Sequence, residues 1–336
     1  MLAFVGGLGT VRLHSRRLST VAAMDPTKPP HKSALDDMTT KGAFARKASV
    51  FRSWVSKGGE FEPEGGRYHL YVGYACPWAH RTIITRQLKG LTDAIGITFV
   101  DYFMGDMGWE FKPEPEPNYG LNKIRELYFK AREDYDGRFT IPVLWDKKTE
   151  TIVNNESSEI IIMLNNEFND FAKNPERDFL PESKRDAILE VAQSFYEPVN
   201  NGVYKCGFAR TQEAYEQAFV PLFEKLDDLE EVLGKTRYLT GSEMTLADIR
   251  LFTTLVRFDA VYLTHFKCNK KRIIDYPNLF GFVCDMYQTP GVKDTVNMEH
   301  IKKHYFMSHV SINPFAIVPL GPDVNFEVEH DRATRF

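Results

Sequence analysis

The sequence predicts an α/β domain followed by an all-helical domain. Two observations carry this. Between Tyr68 and Leu164 the patterning reads strand, helix, strand and then strand, strand, helix. After Asn174-Pro175 the apolar spacing is helical throughout. The 336 residues, 43% hydrophobic, are ample for two cores.

Each element has a local signal. Residues 68–73 (Tyr-His-Leu-Tyr-Val-Gly) form a short apolar run typical of a buried strand. Pro77 suits the first turn of a helix, where its missing N–H costs nothing, and the helix runs on through Ile83, Ile84 and Leu88. Residues 95–101 are the second strand, reached by a parallel crossover. Residues 104–137 read as an insertion without strong periodicity, rich in Gly, Pro and charge. Residues 139–145 read as a strand with Pro142 in its middle. Proline cannot donate to a central ladder, so Pro142 marks a special backbone site, expected to be cis. A polar turn at 146–150 leads to a hairpin partner at 151–153. The apolar pattern from Ile160 to Leu164 is the next helix. Helices are then expected near 183–200, 211–233, 245–262 and 279–287. Thr245 and Asp248 stand at capping-box spacing. From Ser311 the tail is punctuated by proline and expected to be extended along the surface.

Composition excludes several functions. The formal net charge is -4, with no footprint for nucleic acid or an anionic membrane surface. No apolar run approaches the ~18 residues of a membrane span, so membrane insertion is not expected. The four cysteines are widely spaced and form no metal-ligand pair; no metal is expected, and a reducing compartment is. Residues 1–24 carry Arg12, Arg16 and Arg17 among apolar and hydroxyl residues and contain no acid. Such a leader reads as a transit peptide, here mitochondrial; a start at Met24 would give a cytoplasmic form. Residues 25–60 are expected to be an extended segment, 61–172 the α/β domain, 173–310 the helical domain and 311–336 the tail.

The chemistry centres on Cys76, in Tyr74-Ala-Cys-Pro-Trp-Ala-His80. It follows a strand and opens a helix, where unpaired N–H groups and the helix dipole stabilise a thiolate. Ala79 stands where a dithiol motif has its second cysteine. A mixed disulfide formed at Cys76 therefore needs an external thiol to resolve it, which predicts a small-thiol cosubstrate. A cis Pro142 would present the backbone of Val143 as an edge for a peptide-like ligand. Glu156 and Ser157, at a helix start, are candidates to bind its carboxylate, or form an ordinary N-cap. His80 either tunes the thiol or packs against the following helix. Cys206 reads as packing, with a second redox cysteine as the alternative.

These residues, with Gly108-Trp-Glu-Phe111, Phe139-Thr-Ile-Pro-Val-Leu-Trp-Asp146, Asn155-Glu-Ser-Ser-Glu-Ile160, Asn200-Asn-Gly-Val-Tyr204, His304-Tyr305 and Ile312-Asn-Pro314, resemble the xi class of glutathione transferases, the glutathionyl-hydroquinone reductases. The resemblance spans about residues 45–325. It implies a thioredoxin-like N-terminal domain, an all-α glutathione-transferase C-terminal domain and a homodimer. It implies that glutathione is cosubstrate and that glutathionylated quinone-type molecules are substrates, with Cys76 attacking the glutathione sulfur. Tyr204 and Tyr305 become the candidate proton donors to the leaving ring. Trp109 becomes a wall against glutathione, and Arg138 a partner for one of its carboxylates. One departure stands out: Phe306 occupies a place where the class often has a second tyrosine. Two competing readings share the fold. They are an omega-like thioltransferase or dehydroascorbate reductase, and a non-catalytic scaffold that has no need of Cys76. Conjugation to electrophiles is disfavoured, because a cysteine at that place tends to form a disulfide with glutathione.

Overall fold

The structure is a computed structural model and describes residues 39, 42–44 and 48–336. The transit-peptide reading of residues 1–24 lies outside the described residues, as does 25–38 of the extended segment.

The chain first builds a mixed sheet in the order β2-β1-β5-β6. β1 (Tyr68–Val72) is buried along its whole length and pairs in parallel with β2 (Gly96–Phe99). Between them runs α1 (Pro77–Leu88). β3 (Met104–Gly105) and β4 (Gly108–Trp109) form a small separate hairpin, followed by α2 (Ile124–Ala131). β5 (Val143–Asp146) pairs antiparallel with β1 and with β6 (Thr151–Asn154), and α3 (Ser157–Asn166) closes the unit. Residues 51–55 lie beside β6, with Arg52 bridging Asn154.

Two expectations need correction here. The insertion, to which the sequence assigns no element, carries the β3–β4 hairpin and α2. α2 buries Ile124, Leu127 and Tyr128 on one face, but at eight residues it is too short to stand out from the Gly- and Pro-bearing stretch around it. The strand expected at 139–145 begins only after Pro142, at Val143. A proline cannot donate to the ladder. The Ile141–Pro142 bond is cis, as expected.

The helical unit follows. α4 (Arg185–Ser194) runs into a π turn at Tyr196–Asn200 and then α5 (Gly202–Phe208), so the helix expected at 183–200 is two elements. α6 (Gln212–Leu233) starts from Thr211, whose side chain caps it. α7 (Leu246–Arg257) opens with the expected capping box: Thr245 donates from N and Oγ1 to Asp248, at 2.8 and 2.9 Å. A second π turn, Phe258–Tyr262, ends it. α8 (Pro277–Gln288) and α9 (Met298–Ser308) complete the layer, α9 being absent from the sequence expectation. The tail ends in α10 (Arg332–Arg335). It is not wholly superficial: Arg332 is 2% exposed and donates to the carbonyls of Leu233, Thr236 and Arg237. Those carbonyls lie at and beyond the C-terminal end of α6, where backbone acceptors lack helical partners.

Two apolar cores result, one around the sheet and one among the helices. α1 and α3 are shared between them. Ala79, Ile83, Ile160 and Met163 face the sheet core, while Ile84, Leu88 and Ile161 join the helical one. A helix buried on both sides needs no polar face, and every residue of α1 except Gln87 is buried. α1 packs on α7, so the start of α1 is held from both domains. No helix among the described residues is long and apolar enough to cross a membrane.

Candidate active site

Cys76 is the N-cap of α1, with extended backbone (φ -79°, ψ 117°) and Pro77 next to it. The first-turn N–H groups of α1 therefore converge beside it. Its Sγ lies 3.7 Å from the carbonyl oxygen of Ile141, in the loop of the cis proline. This close approach depends on Gly73. A Cβ there would meet Ile141 Cδ1 and Val100 Cγ2 at 2.9 Å. Of the four cysteines only Cys76 is partly exposed; Cys206, Cys268 and Cys284 are buried.

A cavity opens in front of Cys76, between the two domains. One wall is Trp109, carried in by the β3–β4 hairpin and stacked on His304 with ring centroids 4.6 Å apart. The opposite wall is aromatic: Tyr204 stacks between Trp78 and Phe44, at 6.3 and 6.4 Å. Three phenols join across three elements. Tyr204 Oη and Tyr305 Oη are 2.5 Å apart, and Tyr305 Oη is 3.0 Å from that of Tyr262. Burial pushes Tyr204 and Tyr305 well above the usual phenol range, and Tyr262 up to about 12. The cluster is therefore a set of neutral O–H groups at ordinary pH.

The histidines of this region are held neutral. His304 Nδ1 is 2.9 Å from the carbonyl oxygen of Tyr102, so Nδ1 carries the proton and Nε2 is an acceptor. His265 Nε2 and His309 Nδ1 are 3.1 Å apart. Burial is the main cause that pushes His265 and His304 down to about 4, and His309 well below its ordinary value. The unfolded chain binds protons on these rings from about pH 6.5 downward, and the native state resists until about 4. Stability is thus expected to fall as pH drops through that window. A melting temperature that stays level between pH 6.5 and 4 would show that the rings titrate normally.

Of the residues picked from sequence, Cys76, Trp109, Arg138, Tyr204 and Tyr305 line this one cavity. Val143, Glu156 and Ser157 do not stand on its wall, though Ile141 and Asn155 beside them do. Val143 pairs with Tyr71, and the β5–β6 register starts beyond it at Leu144. Glu156 caps α3, accepting from the Ser158 N–H, and also accepts from Ser49 Oγ at 3.0 Å. Ser157 is buried under Arg81, whose Nη1 is 3.4 Å from its hydroxyl. His80 packs rather than facing the thiol: it is fully buried, with Nε2 2.8 Å from Thr295 Oγ1 and Nδ1 3.0 Å from Arg257. Sequence reasoning missed Phe44, Tyr262 and His309. None sits in a recognisable motif; they meet Tyr204 and Tyr305 only through packing of separate elements.

A sheet domain whose cysteine opens a helix at a cis-proline loop, joined to an all-helical domain, has the architecture of a glutathione transferase. Two family models match: "Glutathione S-transferase, N-terminal domain" over residues 75–167 and "Glutathione S-transferase, C-terminal domain" over 212–283. The chain is 48% identical over 319 residues to "Glutathionyl-hydroquinone reductase YqjG" of Escherichia coli, covering 91% of this chain and 97% of that protein. It is 50% identical over 291 residues to "Glutathionyl-hydroquinone reductase PcpF" of Sphingobium chlorophenolicum, covering 85% and 92%. Among solved structures, the glutathione S-transferase Xi of Phanerochaete chrysosporium matches with TM-score 0.83 and 55% identity over 85% of this chain and 94% of that one. The chain belongs to the glutathione S-transferase family, with its close relatives in the xi class of glutathionyl-hydroquinone reductases.

Proposed function

We propose that this protein is a glutathionyl-hydroquinone reductase that uses glutathione as cosubstrate and needs no metal. The observation that carries this reading is the shared cavity. A cysteine at a helix start and a hydrogen-bonded tyrosine pair line it together. The names of the E. coli and Sphingobium relatives support the reading, as does the glutathione-bound structure of YqjG, 49% identical to this chain.

The chemistry follows from the residues. Cys76 thiolate attacks the sulfur of the glutathionyl group, forming the Cys76–S–S–glutathione bond. The carbon–sulfur bond breaks, its electron pair goes to the ring carbon, and Tyr204 or Tyr305 delivers a proton there. A second glutathione thiolate then attacks the mixed disulfide and leaves as glutathione disulfide, returning Cys76. Trp109 serves as a wall for the tripeptide, Arg138 pairs with one of its carboxylates, and Val143, Glu156 and Ser157 bind its backbone and γ-glutamyl end. Glutathionyl-hydroquinone plus glutathione thus gives hydroquinone plus glutathione disulfide.

The test is hydroquinone release from glutathionyl-hydroquinone with excess glutathione, run beside dehydroascorbate and mixed-disulfide reduction. Turnover of the first supports the reductase. Turnover of the latter two alone replaces it with the omega-like thioltransferase, and inactivity in all three leaves the scaffold. We also propose a homodimer and a mitochondrial form cleaved near Met24. A monomeric elution at micromolar concentration would count against the dimer. A mature N-terminus at Met1 in protein from its own cells would count against cleavage.

A further inference from the structure

Arg257, the last residue of α7, is 0% exposed and is bonded to the backbone just before the nucleophile. Its Nη2 donates to the carbonyl of Tyr74 at 2.7 Å and its Nε to that of Ala75 at 3.1 Å. The Ala75 carbonyl belongs to the same peptide unit as the Cys76 nitrogen. Nη1 donates to the carbonyl of Thr253 and meets His80 Nδ1 at 3.0 Å. His80 must then accept, so that ring is neutral and proton-free on that side. Among the described residues, the recorded hydrogen-bond partners of Arg257 are carbonyls and this histidine, with no carboxylate. A buried guanidinium is costly unless its charge is matched. Carbonyl dipoles satisfy its donors but leave a full positive charge in the interior.

That charge reaches the reacting groups. It opposes the burial that pushes up Tyr204, Tyr262 and Tyr305. One other buried guanidinium stands near, Arg81 of α1, held over the Trp78 ring at 4.4 Å and bonded to Ser157 and Asn200. On the cavity side His304, His309, Tyr204 and Tyr305 are held neutral, and Asp136 and Arg138 stand at the more open rim. A charge at a wet rim is screened, and a fully buried one much less so.

We propose that Arg257 is the buried counter-charge of this site, a positioning residue that favours the anionic forms of Cys76 and of the phenol that gives up its proton. The role rests on the reductase reading for its second half, since both the thiolate and the phenolate are formed during that reaction. It also couples the two domains: the charge comes from the helical unit and acts on the nucleophile of the sheet unit.

The test is the pH dependence of iodoacetamide alkylation, read in wild type, Arg257→Met, Arg257→Gln and Arg257→Lys. Only Cys76 is partly exposed, so the signal reports it; Cys76→Ser serves as the blank. Met removes charge and donors, Gln keeps donors without charge, and Lys keeps charge without the fork. The inflection is expected to rise by about one pH unit in Met and Gln, slowing alkylation roughly tenfold below it, and to stay near wild type in Lys. Release of hydroquinone should slow in Met and Gln with the KM for glutathione unchanged. An unmoved inflection in Gln, or Lys moving as far as Gln, would overturn the proposal. If Met does not fold, Gln and Lys decide by the same readout. Failure of all three to fold would make Arg257 a structural tether and also overturn it. Alkylation persisting in Cys76→Ser would instead sink the nucleophile assignment, independently of Arg257.

Discussion

Cys76→Ser is expected to lower hydroquinone release by about a thousandfold or more, to the background rate, while glutathione still binds. The proposed mechanism requires a sulfur–sulfur bond at this position, and serine oxygen cannot form one. A hydroxyl at the start of α1 is also far from ionising at neutral pH, so helix N–H groups that favour a thiolate do little for it. The substitution removes little volume, and Cys76 is partly exposed, so the fold should survive. A stopped reaction without excess glutathione should trap one glutathionyl group on the wild type and none on the variant, read by intact mass. Turnover by the serine variant near the wild-type rate would eliminate the covalent route.

Tyr305→Phe should be the next largest loss, about a hundredfold or more in kcat. Tyr305 is central in the phenol cluster: it touches Tyr204 at 2.5 Å and Tyr262 at 3.0 Å. Losing its hydroxyl removes one candidate acid and strips a partner from both neighbours. Tyr204→Phe should cost less if Tyr305 remains to donate. The double variant should be less than the product of the two, because the hydroxyls act as a unit. Steady-state kcat with the solvent deuterium effect checks this. Single variants that each keep wild-type kcat would show that the ring carbon takes its proton from water. Phe306 does not stand in for a missing phenol here: it is buried, with its ring 4.7 Å from that of His265.

Much of the sheet domain was legible. The apolar run at β1 and Pro77 at the first turn of α1 act through local chemistry, and both elements formed where it put them, while the strand read around Pro142 begins only after it. The α7 capping box likewise needs only Thr245 and Asp248, three residues apart. Where the local signal was thin, the reading failed. α2 is only eight residues long, and α9 is interrupted by His300, Lys302, Lys303 and His304. Such a helix is held by what it packs against rather than by its own period.

The site divides along the same line. By itself the sequence determined that this chain carries a single-thiol nucleophile at a helix start, beside a proline-marked loop, in a family whose motifs can be read residue by residue. Those features depend on neighbours in the chain. Only the tertiary structure decided that Tyr204, Tyr262 and Tyr305 meet at one point and that His80 turns toward Thr295 and Arg257. It also decided that Arg257, 181 positions beyond Cys76, holds the backbone just before the nucleophile. Those outcomes require helices from the second domain to pack on α1, and long-range packing leaves no periodic trace in a sequence.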